Sequence, residues 1–188
     1  MAGTIAVRMT DRRCPLGDAY AARHLTTPPK TAVLSCEGMC LRGEIARRAA
    51  NLVAHELAPE RAVRVCHGGL LETGGGMRDL VEKADQVVVL DGCSMACGTR
   101  LLQGAIPQVK PRVVFTDSLT TLDRAMFGVD EMPEPEIGAR ARAVAERVVA
   151  DALPSRASGE AEGPASDAGT SCRPLPTRSA ARAASFLS

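Results

Sequence analysis

Four short runs of apolar, largely β-branched residues punctuate the chain, at Thr31 to Ser35, Ala62 to Val65, Val87 to Leu90 and Val113 to Thr116. Their length and composition predict strands. Between the first two, Leu41, Ile45, Ala49, Leu52 and Val53 recur at helical spacing until Pro59 closes the segment. A shorter helix is predicted over Met77 to Ala84, and another from about Ser94 to Gln103. After the proline-broken stretch Glu131 to Glu136, a last helix runs to about Leu153, with Ile137, Ala141, Val144, Val148 and Ala152 on one face. Strand and helix alternate throughout.

Parallel strands need crossover connections, and those crossovers cover the sheet. The pattern therefore predicts an α/β domain with an open parallel sheet of about four strands and helices on both faces, Rossmann-like or flavodoxin-like; if the first strand lies between the second and third, as in a 2-1-3-4 order, Cys36 is one strand spacing from each neighbour. Residues 1–30 show no sustained period and read as an irregular arm leading into a domain over residues 31–153. Residues 154–188 turn to Ala, Ser, Gly, Pro and scattered Arg, and are expected to be a disordered tail. Cys14 in the arm and Cys172 in the tail are read as bystanders.

Composition narrows the function. The 188 residues include no Trp, one Tyr and three Phe, too few for the aromatic platforms on which single-stranded nucleic acids stack. Balanced charge, formally +1, gives no footprint for nucleic acid or an anionic membrane. No window supplies the roughly 18 uninterrupted apolar residues of a spanning helix, and the first 30 residues lack the apolar block of a secretory signal. A cytoplasmic location is expected, where seven cysteines are read first as metal ligands or redox thiols.

The cysteines follow the strands. Cys36, Cys66 and Cys93 each stand at the carboxyl end of a different predicted strand, and parallel strands gather those ends on one edge. Adjacent strands lie about 4.8 Å apart, so modest leaning of the side chains would bring the thiolates around one ion, with Cys97 as the fourth. Cys36 with Cys40, and Cys93 with Cys97, stand four apart at predicted helix starts, where two side chains can share a face.

Cys36, Cys66 with Gly68-Gly69 after it, then Asp91-Gly92-Cys93 and Cys97 resemble the motifs of the DGC-domain family, over roughly residues 31 to 150. That resemblance implies a small α/β domain in which Cys36, Cys66, Cys93 and Cys97 ligate a metal, zinc in the first instance; it implies no reaction. Cys40 and His67 fall outside the resembled pattern, and either could add or replace a ligand. His67 is otherwise read as a solvent-facing loop residue.

Other chemistries fit the same residues. A thiol at a helix start feels the positive end of the macrodipole, which lowers its pKa and suits redox or sulfur transfer. Four thiolates also satisfy an iron-sulfur cluster, and Met39 and Met95 beside them raise Cu(I), although methionine more often fills core gaps. The glycines from Gly68 to Gly76 lack the Lys-Ser or Lys-Thr of a phosphate loop and read as a flexible wall. Asp91 before Gly92 reads as turn chemistry. The arginines of the first and last helices read as solvated faces, and no nucleophile, histidine and acid set is recognisable.

Overall fold

The computed structural model describes residues 8–153; the expectations for the tail and for Cys172 lie outside them. Four strands form one parallel sheet: β1 (Thr31–Ser35), β2 (Ala62–Arg64), β3 (Val87–Asp91) and β4 (Arg112–Phe115), in the order β2-β1-β3-β4. The two central strands, β1 and β3, are buried at every position, which is why they read as unbroken apolar runs rather than alternating ones. Ser35 is level with Leu90, so the chain leaves β1 and β3 side by side.

Helices α2 (Leu41–Leu52) and α5 (Glu134–Asp151) cover one face of the sheet. Their Ile45, Ala49, Ala141, Val144 and Val148 pack with Val33, Val88 and Leu90. On the other face, α1 (Pro15–His24), α3 (Gly76–Glu82) and α4 (Cys97–Ala105) share a core with Leu34, Val63, Val65 and Val89. The α/β architecture with both faces covered is as the sequence implies. A π-helical turn, Val53–Leu57, extends α2 beyond its last regular turn.

The arm differs from expectation. Residues 15–24 form α1, and Thr10 joins the loop after β2 through Thr10 N–H to the Leu71 carbonyl (2.9 Å) and Thr73 N–H to the Thr10 carbonyl (2.8 Å). Ala21 is the helix's one buried residue, so almost no apolar stripe marks it in the sequence. Asp18 holds it instead, accepting from Gly76 N–H at the start of α3 (2.8 Å) and pairing with Arg13 (2.9 Å).

Candidate metal centre

From β1 the chain crosses through α2 on one face, and from β3 it crosses through α4 on the other. The connections therefore diverge between the carboxyl ends of β1 and β3. Open α/β sheets bind ligands in such a crevice. Cys36 follows β1 directly, and Gly92-Cys93 follows β3.

Asp91 organises the second wall. Its carboxylate is fully buried and accepts from Gly98 N–H (2.7 Å), Thr99 N–H (3.1 Å) and Thr99 Oγ1 (2.6 Å). Helix α4 has no side-chain cap of its own, so the last residue of β3 satisfies its N-terminal amides and sets a negative charge at the positive end of its dipole. The turn reading of Asp91 was too local: its partners lie seven and eight residues on. Ala96, immediately before Cys97, is held in the left-handed region (φ 52°), a conformation costing an alanine on the order of 1 kcal/mol. The helix consequently opens at Cys97 rather than near Ser94.

Close approach explains two glycines. A side chain at Gly92 would meet the Arg42 carbonyl carbon at 2.7 Å and the Gly43 nitrogen at 2.8 Å. One at Gly98 would meet the Cys36 nitrogen at 3.2 Å. Loop and helix thus press directly on β1 and the start of α2, and Cys36 N–H bonds the Leu90 carbonyl (2.8 Å).

Cys36 is buried at the base of the edge, Cys93 is half-buried, and Cys66 and Cys97 are exposed. Burial pushes the Cys36 thiol up from its ordinary pKa, against hydrogen bonds from the backbone of Gly38 and Gly92 that favour the thiolate. Desolvation outweighs the activation anticipated for a thiol close to a helix start. The Gly38 position lies between sulfurs, with a side chain there 3.2 Å from Cys36 Sγ and 3.9 Å from Cys40 Sγ. Cys40 itself caps α2, accepting from Gly43 N–H (3.4 Å). Cys14 does the same for α1, accepting from Gly17 N–H (3.4 Å).

His67 is not the solvent-facing loop residue expected. Its Nε2 lies 3.2 Å from the Gly98 carbonyl, so the ring donates there and Nδ1 carries the lone pair. That Nδ1 is buried with no hydrogen-bond partner. Burial lowers the pKa, keeping the ring neutral. An imidazole anchored through one nitrogen on a backbone carbonyl, with the other bare, has the orientation of a metal ligand. With the thiols of Cys36, Cys66, Cys93 and Cys97 on the same edge, this donor set suits a soft ion. Among the described residues, no three Cys, His, Asp or Glu side chains have already converged to coordination distance.

Three further expectations change. Met39 and Met95, expected in core gaps, are 73% and 61% exposed. The flexible glycine wall is instead a 3-10 turn at Gly68–Leu71, with Gly69 and Leu70 buried. The arginines of α2 are engaged rather than solvated: Arg42 donates to the carbonyls of Met126 (2.8 Å) and Asp123 (3.1 Å), and Arg48 joins Glu44 to Glu134 of α5.

A model of the DGC domain matches residues 32–144, well over half of the chain. The chain belongs to the DGC-domain family. The matched span begins at the second residue of β1 and ends inside α5, so it takes in all of the sheet but Thr31 and every cysteine of the edge; the N-terminal arm with α1 and Cys14 lies outside. Neither the curated proteins nor the solved structures include a match to this DGC-domain chain. No helix among its described residues is long and apolar enough to cross a membrane.

Proposed function

We propose that this DGC-domain chain binds one soft metal ion, zinc in the first instance, through Cys36, Cys66, Cys93 and Cys97, in a structural or metal-handling role in the cytoplasm. The observation that carries the reading is the placement of these four thiols along one carboxyl edge, around the crevice where the chain diverges. The bare Nδ1 of His67 beside them supports it as a fifth available donor. Zinc bonds sulfur at about 2.3 Å, so loading the site requires the exposed Cys66 and Cys97 to lean toward the buried Cys36. A shell of four thiolates is closed and suits storage, transfer or structure; three thiolates with an open position would leave room for chemistry at the ion.

Elemental analysis of protein purified without oxygen or chelator tests this. About one zinc per chain is expected, with the metal content of Cys93→Ser and Cys97→Ser falling to a small fraction of it. Unchanged metal content in either variant would overturn the ligand set, and iron or copper in place of zinc would change the ion.

One observation favours a second reading, a thiol redox protein. Cys36 Sγ and Cys40 Sγ flank Gly38, and all six cysteines among the described residues are free thiols. That reading requires a metal-free protein that loses two titratable thiols on mild oxidation and regains them on reduction.

A further inference from the structure

A cavity of about 480 Å³ opens beside Cys66 and His67, on the β2 side of the edge, within the range of small-ligand sites. Its polar wall comes from α2 and its extension, where Arg47, Asn51 and His55 follow one another at four-residue intervals along one helix face. Arg47 and Asn51 each have a donor to spare. Arg47 grips Glu44 through Nε (2.8 Å) and Nη2 (2.7 Å), leaving Nη1 without a partner among the described residues. Asn51 Oδ1 accepts from Arg64 Nε (3.0 Å), which fixes the amide so that its NH₂ is unspent. Opposite, Glu37 Oε1 accepts from Ser35 Oγ (2.8 Å) and Arg64, while Oε2 has no partner among the described residues. Val65, Met77 and the Tyr20 ring supply an apolar wall, with Cys66 at its rim.

Charge chooses the ligand. Arg64 is balanced by Glu37 within the lining and Arg47 by Glu44 just behind it, so the cavity with its immediate partners is close to neutral. A phosphate or dicarboxylate would bring charge without a counter-charge, whereas a zwitterion brings none. We infer that this cavity binds a free zwitterionic amino acid with a short apolar or sulfur-bearing side chain. Its carboxylate takes the spare donors of Arg47 and Asn51, its ammonium takes Glu37 Oε2, and its side chain lies against Val65 and Met77 toward Cys66. The contacts to the carboxylate and ammonium need no metal, although Cys66 and His67, which belong to the proposed metal centre, also line the cavity.

The test is calorimetric titration of the full chain as purified with L-cysteine and L-2-aminobutyrate, repeated after metal removal, with 2-aminobutyrate as the ligand that cannot compete for an ion through a thiol. Three comparison ligands are 3-mercaptopropionate, which lacks the amine, cysteamine, which lacks the carboxylate, and inorganic phosphate. Both amino acids are expected to bind saturably, and the comparison ligands about tenfold more weakly or worse. Arg47→Met and Asn51→Asp should each weaken the amino acids roughly tenfold; Arg47→Met also removes a partner of Glu44, so it is titrated well below its own melting temperature, while Asn51→Asp keeps an acceptor for Arg64 and sets a negative charge where the carboxylate docks. No saturable binding of either amino acid at millimolar concentration, equal binding of the truncated analogues, or affinity indifferent to both substitutions would overturn the proposal. Zinc content is read separately, so either inference can fail without the other.

Discussion

The loop from β1 into α2 and the loop from β3 into α4 share one pattern, two cysteines four apart where a strand gives way to a helix, and they spend those cysteines differently. In the first, Cys36 is buried against the sheet and the sulfur of Cys40 is occupied in capping α2. In the second, Asp91 reaches forward from the strand to cap α4, so neither Cys93 nor Cys97 has that duty. Cys97 is left exposed at the first position of its helix, behind an alanine forced into the left-handed region. A helix N-terminus must be satisfied by something, and whichever group does so is withdrawn from other chemistry. The family's central tripeptide gains a physical meaning here: its aspartate caps, its glycine allows loop and α2 to touch, and its cysteine is released.

Removing Asp91 should break this comparison with the largest effect. Asp91→Ala leaves two buried amides and a hydroxyl without their acceptor, for an expected loss of about 3 kcal/mol in urea unfolding. Metal content should fall with it, because α4 carries Cys97. Asp91→Asn, which keeps one oxygen acceptor, should cost roughly half as much and fold well enough for its metal to be measured. An Asp91→Ala protein as stable as the parent would show that α4 is capped by other means.

Helix α2 draws its N-terminal negative charge from within its own first turn, so its dependence on charge should be milder and visible in pH. Glu44 is held below the ordinary glutamate pKa first by the hydrogen bond from Arg47 and then by that from Arg48. A depressed pKa contributes stability above the unfolded value, and that contribution is lost as pH falls through the folded one. Glu44→Gln should therefore cost about 1 kcal/mol at neutral pH, and the gap from the parent should close under acid. A gap that persisted at low pH would mean that Glu44 acts by packing rather than by charge.

The sheet was legible in the sequence because its central strands are buried on both faces, and runs such as Val87 to Leu90 admit few other readings. Topology then placed Cys36, Cys66 and Cys93 on one edge. What the sequence concealed is non-local. Helix α1 presents one buried alanine, so no period betrays it, and it is held by Asp18 and packing against α3. The cap of α4 comes from another element. His67 was expected on the surface because alternate side chains on a strand face opposite ways, yet the chain has left β2 at Arg64 and turns His67 toward Gly98. Arg47, Asn51 and His55 stand four apart in the sequence, where the arginines of this helix read as a solvated face; only the cavity gives the spacing a purpose.

The smallest effect concerns the thiols already spent. Cys14 and Cys40 each cap a helix, with the amide of the glycine three residues on as donor. Serine accepts hydrogen bonds better than a thiol and is among the preferred residues at this position. Cys14→Ser and Cys40→Ser should therefore leave stability within about 0.5 kcal/mol of the parent, with any change toward greater stability. Cys40→Ser should also retain the parent's full metal content, in contrast to Cys93→Ser. The pair sharpens the comparison because both sulfurs stand in the same four-residue spacing and differ in what holds their helix. Should Cys40→Ser lose metal as Cys93→Ser is expected to, the capping sulfur would be serving the ion as well, and the division of labour between the two loops would not stand.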